Sequence, residues 1–388
     1  MIAWILLLIG FGVGNLQKFS LFSQEVHISA LDMIVFSLTF FSIFKNYKLS
    51  SRLALPIFTF FTVGLISLLL ASQLYPWSSI LVGSMYLVRW LVYSLFFASI
   101  IQLIKPVRIA YIIYSLGLLT VVMSLGQYLI FPDIRSLVVS EWDPHYYRAV
   151  GQFLDPGFTG LLLVFTLIFL TLREPSNQIT KYISWIGTYL AFALTYSRSS
   201  YAAFLVSMAY IAWKIKGWKF FLGILLLFTV TVAILPRAPD GEGVKLERTS
   251  SIQARIDSWT TAWRIYTQHP IIGTGFNVYR YAQGASLKSH AGAGADSSLL
   301  FVAATTGTVG LLAYLWYLKR VYDLRSTIYD LQATLVAVLV HSLFLNSLFY
   351  PAVMVWLSLL VLSASGSPPD PSPQIPAHSP RNLNSKRY

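Results

Sequence analysis

Apolar runs of helical length follow one another along most of the chain, and the pattern breaks once. A helix that spans a bilayer needs about 17 to 25 mostly apolar residues. Twelve segments answer to that, some of them short, centred on 2 to 14, 29 to 44, 54 to 71, 79 to 104, 107 to 131, 158 to 172, 181 to 196, 199 to 214, 219 to 235, 298 to 318, 330 to 349 and 351 to 364. Between Leu235 and Ser298 no such run occurs. The pattern predicts an all-α polytopic membrane protein of about 12 transmembrane helices with one large extramembrane loop. Its parts are a membrane domain over 1–235, the loop over 236–297, a second membrane portion over 298–364, and a tail over 365–388. The tail is rich in Pro and Ser and poor in apolar residues, so it is expected to be disordered. Met1 to Gly14 lacks a basic n-region and a small-residue cleavage site and is read as a retained first span.

Inside the loop, Ile252, Ile256, Trp259, Trp263 and Tyr266 recur every three or four residues after Ser250 and Ser251, two candidate N-caps. That spacing predicts an amphipathic helix lying along the membrane surface, its apolar stripe used for packing. From Gly284 to Gly294 the chain is rich in Gly, Ala and Ser, which predicts a pliable connection from this helix to the tenth span.

Composition agrees with the pattern and adds an orientation. Of the 388 residues 56% are hydrophobic and 11% charged, which excludes a soluble multidomain protein. A formal charge of +13 would suggest nucleic acid in a soluble chain. Here the basic residues gather in short connections: Lys45, Lys48 and Arg52; Lys105 and Arg108; Arg173 and Lys181; Lys214, Lys216 and Lys219; Lys319, Arg320 and Arg325. These fall on every second connection, as cytoplasmic loops should, so no nucleic-acid partner is expected. Both termini then face the cytoplasm and the long loop faces outward, across the cytoplasmic (inner) membrane. The chain has no Cys, which removes disulfides, thiol nucleophiles and Cys-bound metals.

Chemistry concentrates on the outer side. The long loop carries seven Lys or Arg residues. Arg198, in the tight turn Tyr196-Ser197-Arg198-Ser199-Ser200, and Arg255, four residues before Trp259, fall at headgroup level, where a guanidinium suits a lipid-linked pyrophosphate. An ordinary interfacial arginine is the plainer alternative. Arg148, in the preceding outer loop, is a third candidate. Arg89 lies mid-span, where a charge needs a partner; Asp32 matches it in depth, and a structural ion pair competes with a substrate contact. Asp296 opens the tenth span and is a candidate general base; capping that helix is its plain alternative, worth about 1 kcal/mol. His290 is the rival base. Asp240, Glu242 and Glu247 read as a solvated turn, and with no Asp-x-Asp pair beside them a metal-dependent sugar-nucleotide site is disfavoured. Neither a metal nor a cofactor is expected.

Four stretches together carry a resemblance: Tyr196 to Ser200; Arg255-x-x-x-Trp259 followed by His269-Pro-Ile-Ile-Gly-Thr-Gly-Phe276; Asp296; and Thr306-Gly-Thr-Val-Gly310. In this order, with the large loop before the tenth span, the chain resembles the O-antigen ligase and O-antigen polymerase superfamily of bacterial polytopic glycosyltransferases. Its ligases carry a His near the start of the tenth span as base, where this chain has Asp296. In that respect it resembles the related peptidoglycan polymerases of the shape, elongation, division and sporulation group, which place an Asp before a Gly at the spacing of Asp296 and Gly307. The resemblance implies glycan transfer from an undecaprenyl-pyrophosphate-like donor to a sugar hydroxyl, with a glycan or glycolipid acceptor and membrane lipid as partners. Asp296 would then be the base and Arg198 with Arg255 the pyrophosphate clamp. A transporter or lipid-linked glycan flippase is the competing class, since such proteins share the span count.

Overall fold

The computed structural model describes residues 2–21, 26–44, 51–99, 106–140, 142–173, 177–238, 241–284, 294–323 and 329–363. His290, Asp240 and the tail beyond 363 lie outside the described residues. What is described is nearly all-α: α1 (Ile2–Val13), α2 (Ala30–Phe44), α3 (Ser51–Ala71), α4 (Trp77–Ser99), α5 (Pro106–Ile130), α6 (Pro156–Leu172), α7 (Gln178–Ala193), α8 (Arg198–Ile211), α9 (Trp218–Ile234), α10 (Ser250–Gln268), α11 (Tyr279–Ala282), α12 (Ser298–Asp323), α13 (Tyr329–His341) and α14 (Pro351–Ser363). A helix occupies each of the twelve apolar segments. Four helices are long and apolar enough to cross a membrane: Arg52–Ala71, Trp77–Phe96, Arg108–Ile130 and Ser298–Asp323. Five more, over α1, α2, α6, α9 and most of α14, are apolar but shorter.

One hairpin interrupts the helices. Strand β1 (Lys18–Leu21) pairs antiparallel with β2 (Val26–Ser29), Lys18 opposite Ser29 and Leu21 opposite Val26. Apolar periodicity gives no warning of it, because four-residue strands are too short to register as an alternating pattern.

The core is built round α6. Every residue from Thr159 to Leu170 is buried, as expected of a helix apolar on all sides, and α5, α7, α8 and α13 pack against it. Asp155 starts the helix: its side chain accepts from the Phe158 N–H at 2.8 Å and Pro156 follows at the first helical position. Charges inside the apolar region are paired. Arg89 donates through Nε and Nη2 to the two carboxylate oxygens of Asp32 at 2.7 and 2.6 Å, and Tyr93 donates to the same group at 2.9 Å. The mid-span arginine thus has the partner that its depth required.

The loop joins the membrane helices through a break in α12. At Gly307 the backbone takes φ 67° and ψ −170°, outside the range of a residue with a side chain, and the helix is interrupted there. The freed groups are met by the turn after α10. Thr308 N–H donates to Pro270 O at 2.8 Å, while Thr274 and Gly275 N–H donate to Ala304 O and Thr305 O at 3.0 Å each. The Gly-Thr-Gly turn and the Thr-Gly-Thr run are therefore two halves of one joint.

Helix α10 forms where the spacing predicts, with two corrections. Neither Ser250 nor Ser251 caps it: Thr249 stands at the N-cap, Ser250 donates to Glu242, and Ser251 accepts from arginines. The apolar stripe packs only in part. Trp259 stands against Phe344 and Tyr266 packs on the core, while Ile252, Ile256 and Trp263 are 46, 45 and 57% exposed and the fully buried positions are Ala262 and Ile265, outside the stripe.

Candidate functional site

Four arginines converge beside the N-terminal ends of α6, α8 and α12. Arg148 donates through Nε to Thr195 O at 2.9 Å and through Nη2 to Tyr196 O at 3.2 Å. Arg248 reaches the same Tyr196 carbonyl at 3.4 Å and also donates to Gly243 O and Lys245 O. Arg198 donates to Leu246 O, Arg248 O and Ser251 Oγ. Ser251 thus serves Arg198 and Arg248 at once, and Tyr196 serves Arg148 and the same Arg248. Arg255 stands over the Phe344 ring, 5.7 Å from its centre. The candidates named from sequence, Arg148, Arg198 and Arg255, are thereby brought together; Arg248 was not singled out, and its only sequence signal is its place seven residues before Arg255.

Local backbone explains the convergence. Tyr196 sits at φ 49°, uncommon for a bulky residue, and its carbonyl is the shared acceptor. Gly243 leaves room for Arg148: a Cβ there would lie 2.9 Å from Arg148 Cδ. Among the described residues four non-glycines have positive φ, and all belong to this region. Tyr147 precedes Arg148, Tyr196 precedes the Ser197-Arg198 turn, and Leu154 and Asn277 line the adjoining cavity. Such strain gathers at functional sites because the surrounding structure must enforce it.

The cluster is electrostatically uncomfortable. Burial, then the Arg248 charge, pulls Arg148 down to about 9; burial, then Arg198 and Arg255, pulls Arg248 down to about 10. Arg255 is lowered by burial, with Asp296 opposing. All remain cationic at neutral pH, and like charges held this close favour an anion between them.

Asp296 lies at the edge of this field. It is half-buried, and burial raises its pKa above the usual carboxylate range although Arg255 pulls the other way. Its backbone is held by α10: Asp296 N–H donates to Ser258 Oγ at 2.9 Å, and Trp259 Nε1 donates to Asp296 O at 3.0 Å. It is not the helix cap. Ser297 is, its Oγ accepting from Leu300 N–H at 3.4 Å and its carbonyl from Phe301 N–H. The Asp296 carboxylate is left for other work.

On its other side lies a cavity of about 530 Å³ whose wall includes Asp143, Asp155, Asp296, Arg89, Arg280 and several aromatic residues. That is the size of a small-ligand site. None of the four clustered arginines lines it. Asp155, the α6 cap, is raised by burial and electrostatically coupled to Arg148 and Asp143. Asp143, His145 and Asp155 bring one ligand atom each within 4.8 Å of one another, a set able to hold a divalent ion that spacing alone did not reveal. Arg148 and Arg248 crowd the same imidazole, however; burial first and these charges second lower His145 to about 3. Arg89 contributes to the wall while bound to Asp32, so of the sequence candidates it is the one set apart from the arginine cluster.

Residues 183–315 match the O-antigen ligase family, a stretch that contains Arg198, Arg248, Arg255 and Asp296. A general O-oligosaccharyltransferase of Acinetobacter baylyi (strain ATCC 33305 / BD413 / ADP1) is 23% identical over 201 residues, 47% of this chain and 35% of that protein. The chain thus matches about a third of the length of that relative. Both similarities support the O-antigen ligase superfamily.

Proposed function

We propose that this chain, of the O-antigen ligase superfamily, is a membrane glycosyltransferase. It moves a glycan from a polyprenyl-pyrophosphate-linked donor to a sugar hydroxyl on the outer face of the cytoplasmic membrane, as a ligase or a polymerase. The observation that carries the reading is the place of Asp296: an uncapping carboxylate between a cluster of four arginines and a cavity of ligand size. The acceptor O–H gives its proton to Asp296, and its oxygen attacks the anomeric carbon. The bond from that carbon to the phosphate oxygen breaks, and its electron pair leaves on pyrophosphate, where Arg148, Arg198, Arg248 and Arg255 offset the charge. A single in-line displacement inverts the anomeric configuration. A raised Asp296 pKa brings the base nearer to neutral pH, where proton transfer is most effective. His290 is the alternative base. No observation favours the transporter or flippase reading.

Pyrophosphate binding is tested at Arg255, whose guanidinium makes no hydrogen bond to the protein among the described residues. Lys keeps the charge and loses the fork. Arg255→Lys is expected to insert normally while transfer falls roughly 10- to 150-fold, the equivalent of one charge-assisted hydrogen bond. Inorganic pyrophosphate should raise the melting temperature of the wild-type protein and do less for the variant. Full activity together with an unchanged pyrophosphate response removes Arg255 from the clamp.

The proposed orientation has its own check, made clean by the absence of native Cys. Glu247→Cys, on the long loop, and Lys216→Cys, between α8 and α9, are both at exposed positions. An impermeant thiol reagent applied to intact cells is expected to label the first and spare the second; labelling of both from outside overturns the topology.

A further inference from the structure

We infer that the cavity beside Asp296 receives the acceptor, and that the acceptor end it takes is an uncharged saccharide and not a phosphorylated or acidic one. This rests on the glycosyltransferase reading and narrows its substrate.

Lining charge is acidic. The four clustered arginines, already matched in sign to a pyrophosphate, do not line the cavity. Its described wall carries three carboxylates, Asp143, Asp155 and Asp296, against the two guanidiniums of Arg89 and Arg280, with His27 as a further titratable group. Arg89 is bound through two hydrogen bonds to Asp32, so its charge is neutralised within the protein. An anionic acceptor in the cavity would therefore touch an acidic wall, while the clustered arginines, of which Arg148 and Arg255 act electrostatically on Asp155, are not themselves among its lining residues. Carboxylates do suit hydroxyl groups, which donate to them without bringing charge.

The rest of the wall suits a sugar ring. Trp142, Phe158, Tyr281 and Tyr350 are half-buried and border the cavity. Phe158 and Tyr350 stack with ring centres 3.8 Å apart and planes within 3°, which builds a flat apolar panel before any ligand arrives. A pyranose offers apolar C–H faces and a rim of hydroxyls, so flat aromatic surface beside carboxylates recognises both parts. Asn346, also in the wall, has a buried amide oxygen with no hydrogen-bond partner, an acceptor available to a nearby donor. A volume of about 530 Å³ admits the end of a glycan and not a bulky folded partner.

The experiment uses the full chain in lipid nanodiscs with an undecaprenyl-pyrophosphate-linked oligosaccharide as donor. A chelator is present so that no divalent ion bridges Asp143, His145 and Asp155. Three acceptors are compared: a neutral oligosaccharide, the same oligosaccharide carrying a terminal phosphate monoester, and a serine-containing peptide. The neutral saccharide is expected to be used with a kcat/KM at least tenfold above the phosphorylated one, the difference lying mainly in acceptor KM. Asp143→Arg, at an exposed position of the wall, is expected to narrow that ratio severalfold while donor KM stays constant. Equal or better use of the phosphorylated acceptor, preference for the peptide, or an Asp143→Arg ratio equal to wild type overturns the inference and leaves glycan transfer standing. No transfer to any acceptor overturns both.

Discussion

Asp296→Asn is expected to abolish most glycan transfer while leaving the folded protein intact. Loss of a general base costs roughly 10²- to 10⁴-fold. Asparagine keeps the size and polarity of the side chain but takes up no proton. Folding should tolerate the change because the neighbouring Ser297 caps α12 and because α10 holds position 296 through its backbone N–H and C=O. Melting temperature measured beside transfer rate separates the two effects. A pH profile adds a second readout. The base must be ionised to act, and burial raises the Asp296 pKa, so activity should fall on the acid side at a pH above that of an exposed aspartate. Asp296→Asn should remove that limb from whatever activity remains. Should the variant stay active while His290→Ala is dead, the base is His290.

Gly307→Ala is expected to be among the most damaging single-methyl additions at the described glycines. A Cβ at this position would lie 2.2 Å from Ile271 O and 2.3 Å from Ile271 C, both backbone atoms that no rotamer change can move aside. The residue also holds φ 67° with ψ −170°, a region reserved to glycine. Clash and strain together cost on the order of 3 to 5 kcal/mol, the range of severe core substitutions. The joint between the loop turn and α12 should open, with loss of thermal stability and of activity together. Gly223→Ala in α9 is the control: nothing lies within 4 Å of its Cβ, and it should be neutral or slightly stabilising. A Gly307→Ala protein that melts like wild type would mean that the break in α12 is not enforced.

The two substitutions divide along a line that also separates what could be read from the chain. Spans are local facts: a run of apolar residues has no stable state in water, so its helical, membrane-embedded character follows from composition and length. All twelve runs carry a helix, though only four of the helices are long and apolar enough to cross a membrane, and Arg89 found Asp32, because an unpaired charge in an apolar span is too costly to leave. Helix α10 was legible by the same periodicity. Its orientation was legible only in part, since the pattern gives the spacing of large apolar residues but not which neighbour comes near: Trp259 and Tyr266 pack, but the fully buried positions are Ala262 and Ile265. Arg198, Arg255 and Asp296 stood out because charge beside apolar sequence is conspicuous. Arg248, Asp143, His145 and Asp155 did not, for they lie in polar connections where such residues are ordinary and only distance gives them meaning. The sequence by itself therefore determined a helical membrane protein and singled out Arg148, Arg198, Arg255 and Asp296 among the charged residues of the candidate site. Tertiary structure alone decided that Ser297 and not Asp296 caps α12, that Gly273 and Gly307 belong to one joint, and that Arg148, Arg198 and Arg248, from three separate segments, share two acceptors. Those outcomes depend on contacts between residues far apart in the chain, and no local propensity encodes them.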